Sequence, residues 1–226
     1  AVLAGAADGL QVGSAYGGFR VAAYRPPEFE VTVTPSVSET VRGTTADVVM
    51  RAAYLSGGAV RGATVRWNVL AQPASFNPPQ LERYSFVDYD NPWRCFDCWW
   101  NVDSAPRPQP LLSGEGVTDE KGELKLTLPI STEIRDASGA LISGPVSLSI
   151  QANVTGADDQ VLAGRGAILA HPADLYAGVA FDKYVIEAMK PVTTELIAVD
   201  WQGGRLANKT IDVTVARREW KSTFVP

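Results

Sequence analysis

The side chains in this chain with the most chemistry to offer are Cys95 and Cys98, set as a CxxC pair in the string RCFDCWW. Such a pair can act as a redox couple, as half of a zinc site, or as a small disulfide loop. Zinc needs about four ligands, and the single histidine, His171, lies far away in the sequence. A redox pair of the thioredoxin kind opens a helix after a strand, whereas this one sits among Pro and Trp residues. A structural disulfide or a pair of inert thiols is therefore favoured over redox chemistry, and metal comes last. Closing so short a ring stabilises by only about 2 kcal/mol, so the fold should not depend on it.

Hydrolytic chemistry fares no better. A nucleophile needs a base beside it, and His171 is followed by Pro172, where it reads as a surface or joint residue. There is no G-x-S-x-G elbow, P-loop or dinucleotide fingerprint. Asp88, Asp90 and Asn91 could donate oxygens to calcium, but further carboxylates are missing and a polar turn is the better reading. Asp158 and Asp159 read as a turn for the same reason. No catalytic residue, cofactor or metal site is expected. The remaining candidate is aromatic: Trp93, Phe96, Trp99 and Trp100 in a Pro-rich loop. They could form a stacking platform for sugars or a contact for a partner. The competing reading has them fold back on the domain to fill a small core of their own.

Charge narrows the partners. The net charge is −5 with a pI near 5.0, and Lys and Arg form no stripe, so a nucleic-acid groove is not expected. No apolar run approaches the ~20 residues that span a bilayer, and the opening AVLAGAADGL is not an intact signal peptide. The expectation is a mature or excised fragment.

The elements that must position these residues are strands. Phe29, Val31 and Val33 alternate with polar residues, as do Val48, Met50 and Ala52, then Val65, Trp67 and Val69. Leu124, Leu126 and Leu128 follow, then Val146 to Val154, and finally Ile211, Val213 and Val215. Period-two alternation with one apolar face marks antiparallel sheets. Gly-containing polar turns at Asp119–Gly122, Asp136–Gly139 and Gly156–Gln160 join them. No long segment has a 3.6-residue period. The chain also repeats itself: GGAVRGATVRWNV (57–69) aligns without gaps to GGRLANKTIDVTV (203–215), an offset of 146. That offset exceeds the ~100 residues of a simple sandwich. The surplus lies in 72–112, a Pro- and aromatic-rich insertion.

The expected fold class is all-β, with tandem antiparallel β-sandwich domains of immunoglobulin/fibronectin-like type. Residues 1–26 would be the last strand of a preceding domain plus its joint. Residues 27–172 would be one complete sandwich carrying the insertion 72–112. Residues 173–226 would be part of a following domain with about three strands.

Several strings resemble the macroglobulin domains of the alpha-2-macroglobulin family, bacterial members above all. GGFRVAAYRPPEFEVTV (17–33) is similar to the family's joint between successive domains, a last strand, a Pro-containing link and an F-E-V strand. YLSGGAVRG (54–62) resembles its Y-x-x-G-x-P-V-x-G turn, with Ala59 where proline is common. TDEKGEL (118–124) and VDWQGG (199–204) resemble further family turns. The resemblance implies a non-catalytic scaffold fragment of a broad-spectrum endopeptidase inhibitor, working in the periplasm or cell envelope from a parent that could be lipid-anchored. Its implied partners are other domains of the parent chain and, through the parent, target proteases; contact with nucleic acid or membrane is not implied. The family's thioester motif, C-x-E-Q, matches neither Cys95 nor Cys98. The alternatives are an Ig-like adhesin or structural array, and a carbohydrate-binding module using the Trp loop.

Overall fold

Where an alternating segment finds another strand to pair with along its edge, the alternation becomes strand. The structure, a computed structural model, describes residues 2–3, 15–16, 26–86, 108–183, 185, 187 and 190–215, the first two pairs as backbone. Among the described residues all regular structure is β. The strands are β1 (Val2–Leu3), β2 (Ala15–Tyr16), β3 (Phe29–Pro35), β4 (Glu39–Val41), β5 (Thr45–Tyr54) and β6 (Thr64–Pro73). Then come β7 (Gln109–Val117), β8 (Glu123–Pro129), β9 (Val146–Thr155), β10 (Val161–His171), β11 (Tyr176–Phe181) and β12 (Thr194–Val199).

Two sheets stack into a sandwich. One has the order β4-β10-β9-β6-β7, the other β3-β5-β8. All pairings within them are antiparallel except β4 with β10, which run parallel. The inward residues of β5 (Val48, Met50, Ala52) and of β9 (Val146, Leu148, Ile150, Ala152, Val154) are at most 2% exposed. They meet Val65 and Val69 of β6 and Leu128 of β8 in one continuous core. Trp67 is half-buried; its ring packs on this core and lies over Gly114 of edge strand β7. On the opposite side the sheets close tightly. A Cβ at Gly164 or Gly166 of β10 would stand 2.6–2.7 Å from the backbone oxygens of Val31 and Val33, so β3 can cross there only because those positions lack side chains.

The turns form as their residues dictate. Gly122 and Gly139 take positive φ, and the side chains of Asp119 and Asp136 accept backbone N–H bonds from residues two and four further on. Asp159 stands at φ 59° in the β9–β10 turn, as a turn reading of Asp158 and Asp159 requires.

Three features differ from the expectation. Strand β6 runs to Pro73 and β7 begins at Gln109, so ladder pairing reaches into both ends of the stretch 72–112. Strands β1 and β2 pair antiparallel, where two-residue strands leave no periodicity to read; the last strand expected within GGFRVAAY (17–24) lies outside the described residues. The alternation Ile211, Val213, Val215 does not form a strand, and Val213 and Val215 are 57% and 92% exposed. Its counterpart β6 is held between β7 and β9; among the described residues 209–215 have no such neighbours.

Candidate functional site

The chain's one histidine ends β10, and its ring is 1% exposed. Of the two expectations for it, a surface position is ruled out. Nδ1 lies 2.7 Å from the Tyr176 hydroxyl at the start of β11. The Trp201 indole stacks on the ring with centroids 4.5 Å apart, and its own N–H donates to the Ala173 carbonyl at 2.9 Å. Nε2 faces the Glu39 carboxylate of β4 at 3.5 Å, the outer limit of a hydrogen bond. Burial pushes the imidazole below its usual pKa against the upward pull of Glu39. Beside it Arg42 donates to the carbonyls of Ile142 and Gly144, and its N–H bonds the His171 carbonyl. Burial holds the Arg42 guanidinium below its ordinary value and the Tyr176 hydroxyl well above its own.

The ring therefore touches side chains of both the sandwich and the hairpin β11–β12. It is sealed by two aromatics, and among the described residues it touches no nucleophile positioned for attack. Such burial suits a packing contact between the two elements.

A second contact fastens the same hairpin. Phe76, Leu81 and Tyr84, from the connection between β6 and β7, pack with Tyr176, Ala180, Ile197 and Val199 into a separate apolar cluster, edged by Phe86 and Trp201. Phe76 stacks on Tyr176 with centroids 3.8 Å apart and meets Phe86 edge-on at 5.2 Å. Phe86 presses so closely on β11 that a Cβ at Gly178 would stand 2.5 Å from its ring. At the rim the Tyr84 hydroxyl donates to Glu195, which keeps its proton bound above the usual pKa. Arg83 pairs with Glu195 at 2.7 Å, and Arg83 and Arg205 both lie over the Tyr84 ring. The described aromatics of the insertion thus pack on one another and on the following hairpin. The fold-back reading concerned Trp93, Phe96, Trp99 and Trp100, which lie outside the described residues; the described aromatics bury the face that apolar side chains on β11 and β12 offer.

Cys95, Cys98, Trp93, Phe96, Trp99 and Trp100 lie outside the described residues, as do Asp88, Asp90 and Asn91. Sequence reasoning missed Tyr176, Trp201 and Glu39 as partners of His171. The signal was available only for Tyr176, five residues after the histidine and just past the Pro172 joint. Elsewhere, a cleft of about 450 Å³ opens between the edges of β7 and β8, lined by Leu111, Leu112, Leu128 and Ile130, with Ser131 and Glu133 also in its wall. Among the described residues no group of three or more His, Cys, Asp or Glu is placed to hold a metal ion.

The internal repeat survives at the level of single hydrogen bonds. Tyr54 N–H bonds the Gly58 carbonyl, Gly57 N–H that of Tyr54, and Val60 N–H that of Ala52. Each recurs 146 residues later, from Asp200 to Gly204, Gly203 to Asp200 and Leu206 to Ala198. The bridge Ala53–Ala59 recurs as Val199–Arg205. Positive φ at Gly57 and Gly62 recurs at Gly203 and Asn208. The strand register also repeats: Glu30 pairs with Ala53, and Tyr176 with Val199.

No family model matches the chain. An alpha-2-macroglobulin homolog from Nostoc sp. is 22% identical over 215 residues, covering 95% of this chain and 10% of that protein. The chain thus spans about a tenth of the length of this curated relative. The native conformation of Escherichia coli alpha-2-macroglobulin superposes with a TM-score of 0.54 at 14% identity, over 86% of this chain and 12% of that one. Salmonella alpha-2-macroglobulin reacted with methylamine gives the same TM-score and identity over 83% and 12%. At such identities the structural likeness is one of fold. In sequence over nearly its whole length, and in its macroglobulin-type β-sandwich fold, this chain resembles the bacterial alpha-2-macroglobulins.

Proposed function

We propose that this chain is a non-catalytic scaffold segment of a bacterial alpha-2-macroglobulin-like protease trap. In this reading residues 27–172 form one complete macroglobulin-like sandwich, 1–26 end the preceding domain, and 173–226 open the next. The observation that carries it is the repeat. Hairpin β11–β12 and its Gly-Gly turn reproduce the register of β3 and β5 and three hydrogen bonds of theirs, and the likeness to the Nostoc protein covers both copies.

The faces of the two hairpins support the domain reading. In β3 and β5 the core-facing residues include Val33 and Met50; their equivalents, Val179 and Leu196, are only partly buried, and Leu196 is 39% exposed. That is the face on which the remaining strands of a second sandwich would pack. A strand pair apolar on both faces is one meant to be covered on both.

The E. coli relative has been solved as "trypsin activated" and "activated by porcine elastase". On that footing the parent's targets are proposed to be endopeptidases, met outside the cytoplasm in the periplasm or cell envelope. Among the described residues no helix is long and apolar enough to cross a membrane. Cys95 and Cys98 are assigned a structural disulfide or inert thiols, and Trp93, Phe96, Trp99 and Trp100 a partner-contact loop.

The test uses the parent protein and the 226-residue chain side by side with trypsin and elastase. The parent is expected to co-elute with either protease on gel filtration, while the chain alone neither retains nor slows them. Stoichiometric capture by the chain alone, or a parent that leaves both proteases free, overturns the reading.

A further inference from the structure

The hairpin β11–β12 is fastened to the preceding sandwich at two places of different chemistry. The insertion contact is mostly apolar: Phe76, Leu81 and Tyr84 against Tyr176, Ile197 and Val199. The other is His171, set between Glu39 and Arg42 on one side and Tyr176 and Trp201 on the other. We propose that His171 is a protonation-controlled latch, holding the hairpin docked while its ring is neutral and loosening it when the ring takes up a proton.

The hydrogen-bond geometry sets the tautomer. Nε2 faces a carboxylate, so it carries the proton, since a bare lone pair there would be repelled. Nδ1 then accepts from the Tyr176 hydroxyl at 2.7 Å. A second proton must go to Nδ1, the atom that accepts this bond. Tyr176 would have to turn its hydroxyl proton away, within a site where its own ring is 7% exposed and the histidine 1%. The imidazolium would also lose its hydration beneath the Trp201 ring.

Among the described residues, the titratable and charged groups that meet the ring are Glu39, Arg42 and Tyr176. Glu39 from β4 favours the charged form, but its side chain is 42% exposed and water screens it. Arg42, after β4, adds positive charge nearby and contacts the histidine through its backbone. Tyr176 from β11 stays neutral, because burial raises its pKa. Trp201 carries no charge, and its stacked face favours the imidazolium by a cation–π contact that works against desolvation. Desolvation is the largest influence and lowers the histidine's pKa, so the undocked state takes up a proton more readily than the docked one. Docking is then at full strength above the free-histidine value of about 6.5 and weakens as the pH falls through it.

Because the chain has one histidine, its ring protons can be followed by NMR in the full 226-residue chain without assignment. They are expected to titrate below about 6.5. Amide exchange is then compared at pH 8 and pH 5 between wild type and His171→Phe, which keeps the stack on Trp201 but cannot titrate. At pH 5 the amides of β11 and β12 should exchange several-fold faster in wild type than in the variant. At pH 8 that excess should vanish, and β9 should behave alike in both. The wild-type titration stands even if the variant folds poorly. A ring that titrates at or above the free-histidine value overturns the proposal. So does a low-titrating ring whose protonation leaves β11 and β12 exchange unchanged between pH 8 and pH 5 relative to β9.

Discussion

Hairpin β3–β5 and hairpin β11–β12 share a backbone and differ in what they bury. Their registers coincide at an offset of 146, and so do the hydrogen bonds of the Gly-Gly turn. In the first hairpin the buried face carries Phe29, Val33, Val48, Met50 and Ala52, and the other face, with Glu30, Thr32 and Arg51, is exposed. In the second the face equivalent to that exposed one is buried, through Tyr176, Ala180, Ile197 and Val199 under the insertion aromatics. The face equivalent to the first hairpin's core shows Phe181 at 56% and Leu196 at 39% exposure. A β-ladder satisfies backbone groups without regard to which side of the sheet meets an apolar layer, so one local design serves two packings.

The sharpest way to break this comparison is to truncate equivalent residues. Met50→Ala should destabilise the sandwich by about 2–4 kcal/mol, measured by urea unfolding, because Met50 is 1% exposed in a closed core. Leu196→Ala, at the equivalent position, should cost less than about 1 kcal/mol. Equal losses would mean that the open face is covered in solution.

The second pair tests where the copies part. Trp67→Ala should cost about 3 kcal/mol, the low end of the range for such truncations, since the ring is only half-buried. Val213→Ala, its counterpart, should change the melting midpoint by less than a degree or two, as Val213 is 57% exposed outside any ladder.

On the opposite face the order should invert. Ile197→Ala removes an anchor of the insertion contact and should weaken β11–β12 locally by about 2 kcal/mol, read from amide exchange in those strands. Arg51→Ala, its exposed equivalent, should stay within about 0.5 kcal/mol. The smallest effects belong to the turn, where Gly62 and Asn208 both hold positive φ. Gly62→Asn and Asn208→Gly should each shift stability by less than about 0.5 kcal/mol, because Asn tolerates that region. A larger loss at either site would show that the two turns are not equivalent.

What the sequence settles by itself is local. The alternation of Val146 to Val154, the polar turns at Asp119 and Asp136, and the 146-residue repeat with its Gly-Gly turn are set by side-chain period and permitted φ, and all can be read without a fold. The same reading placed a strand at 211–215 from an equally clean alternation, and it fails there. A strand is held by neighbours, and β6 has β7 and β9 whereas 209–215 have none among the described residues. The His171 contact was half legible: Pro172 beside it punctuates the chain, but Glu39 stands 132 residues earlier and Trp201 thirty later. Only tertiary structure could bring those groups to one ring. It likewise decided which face of β11–β12 is buried, because both faces are apolar and the choice falls to whichever partner surface, here the aromatics of the β6–β7 connection, reaches the hairpin first in space rather than in sequence.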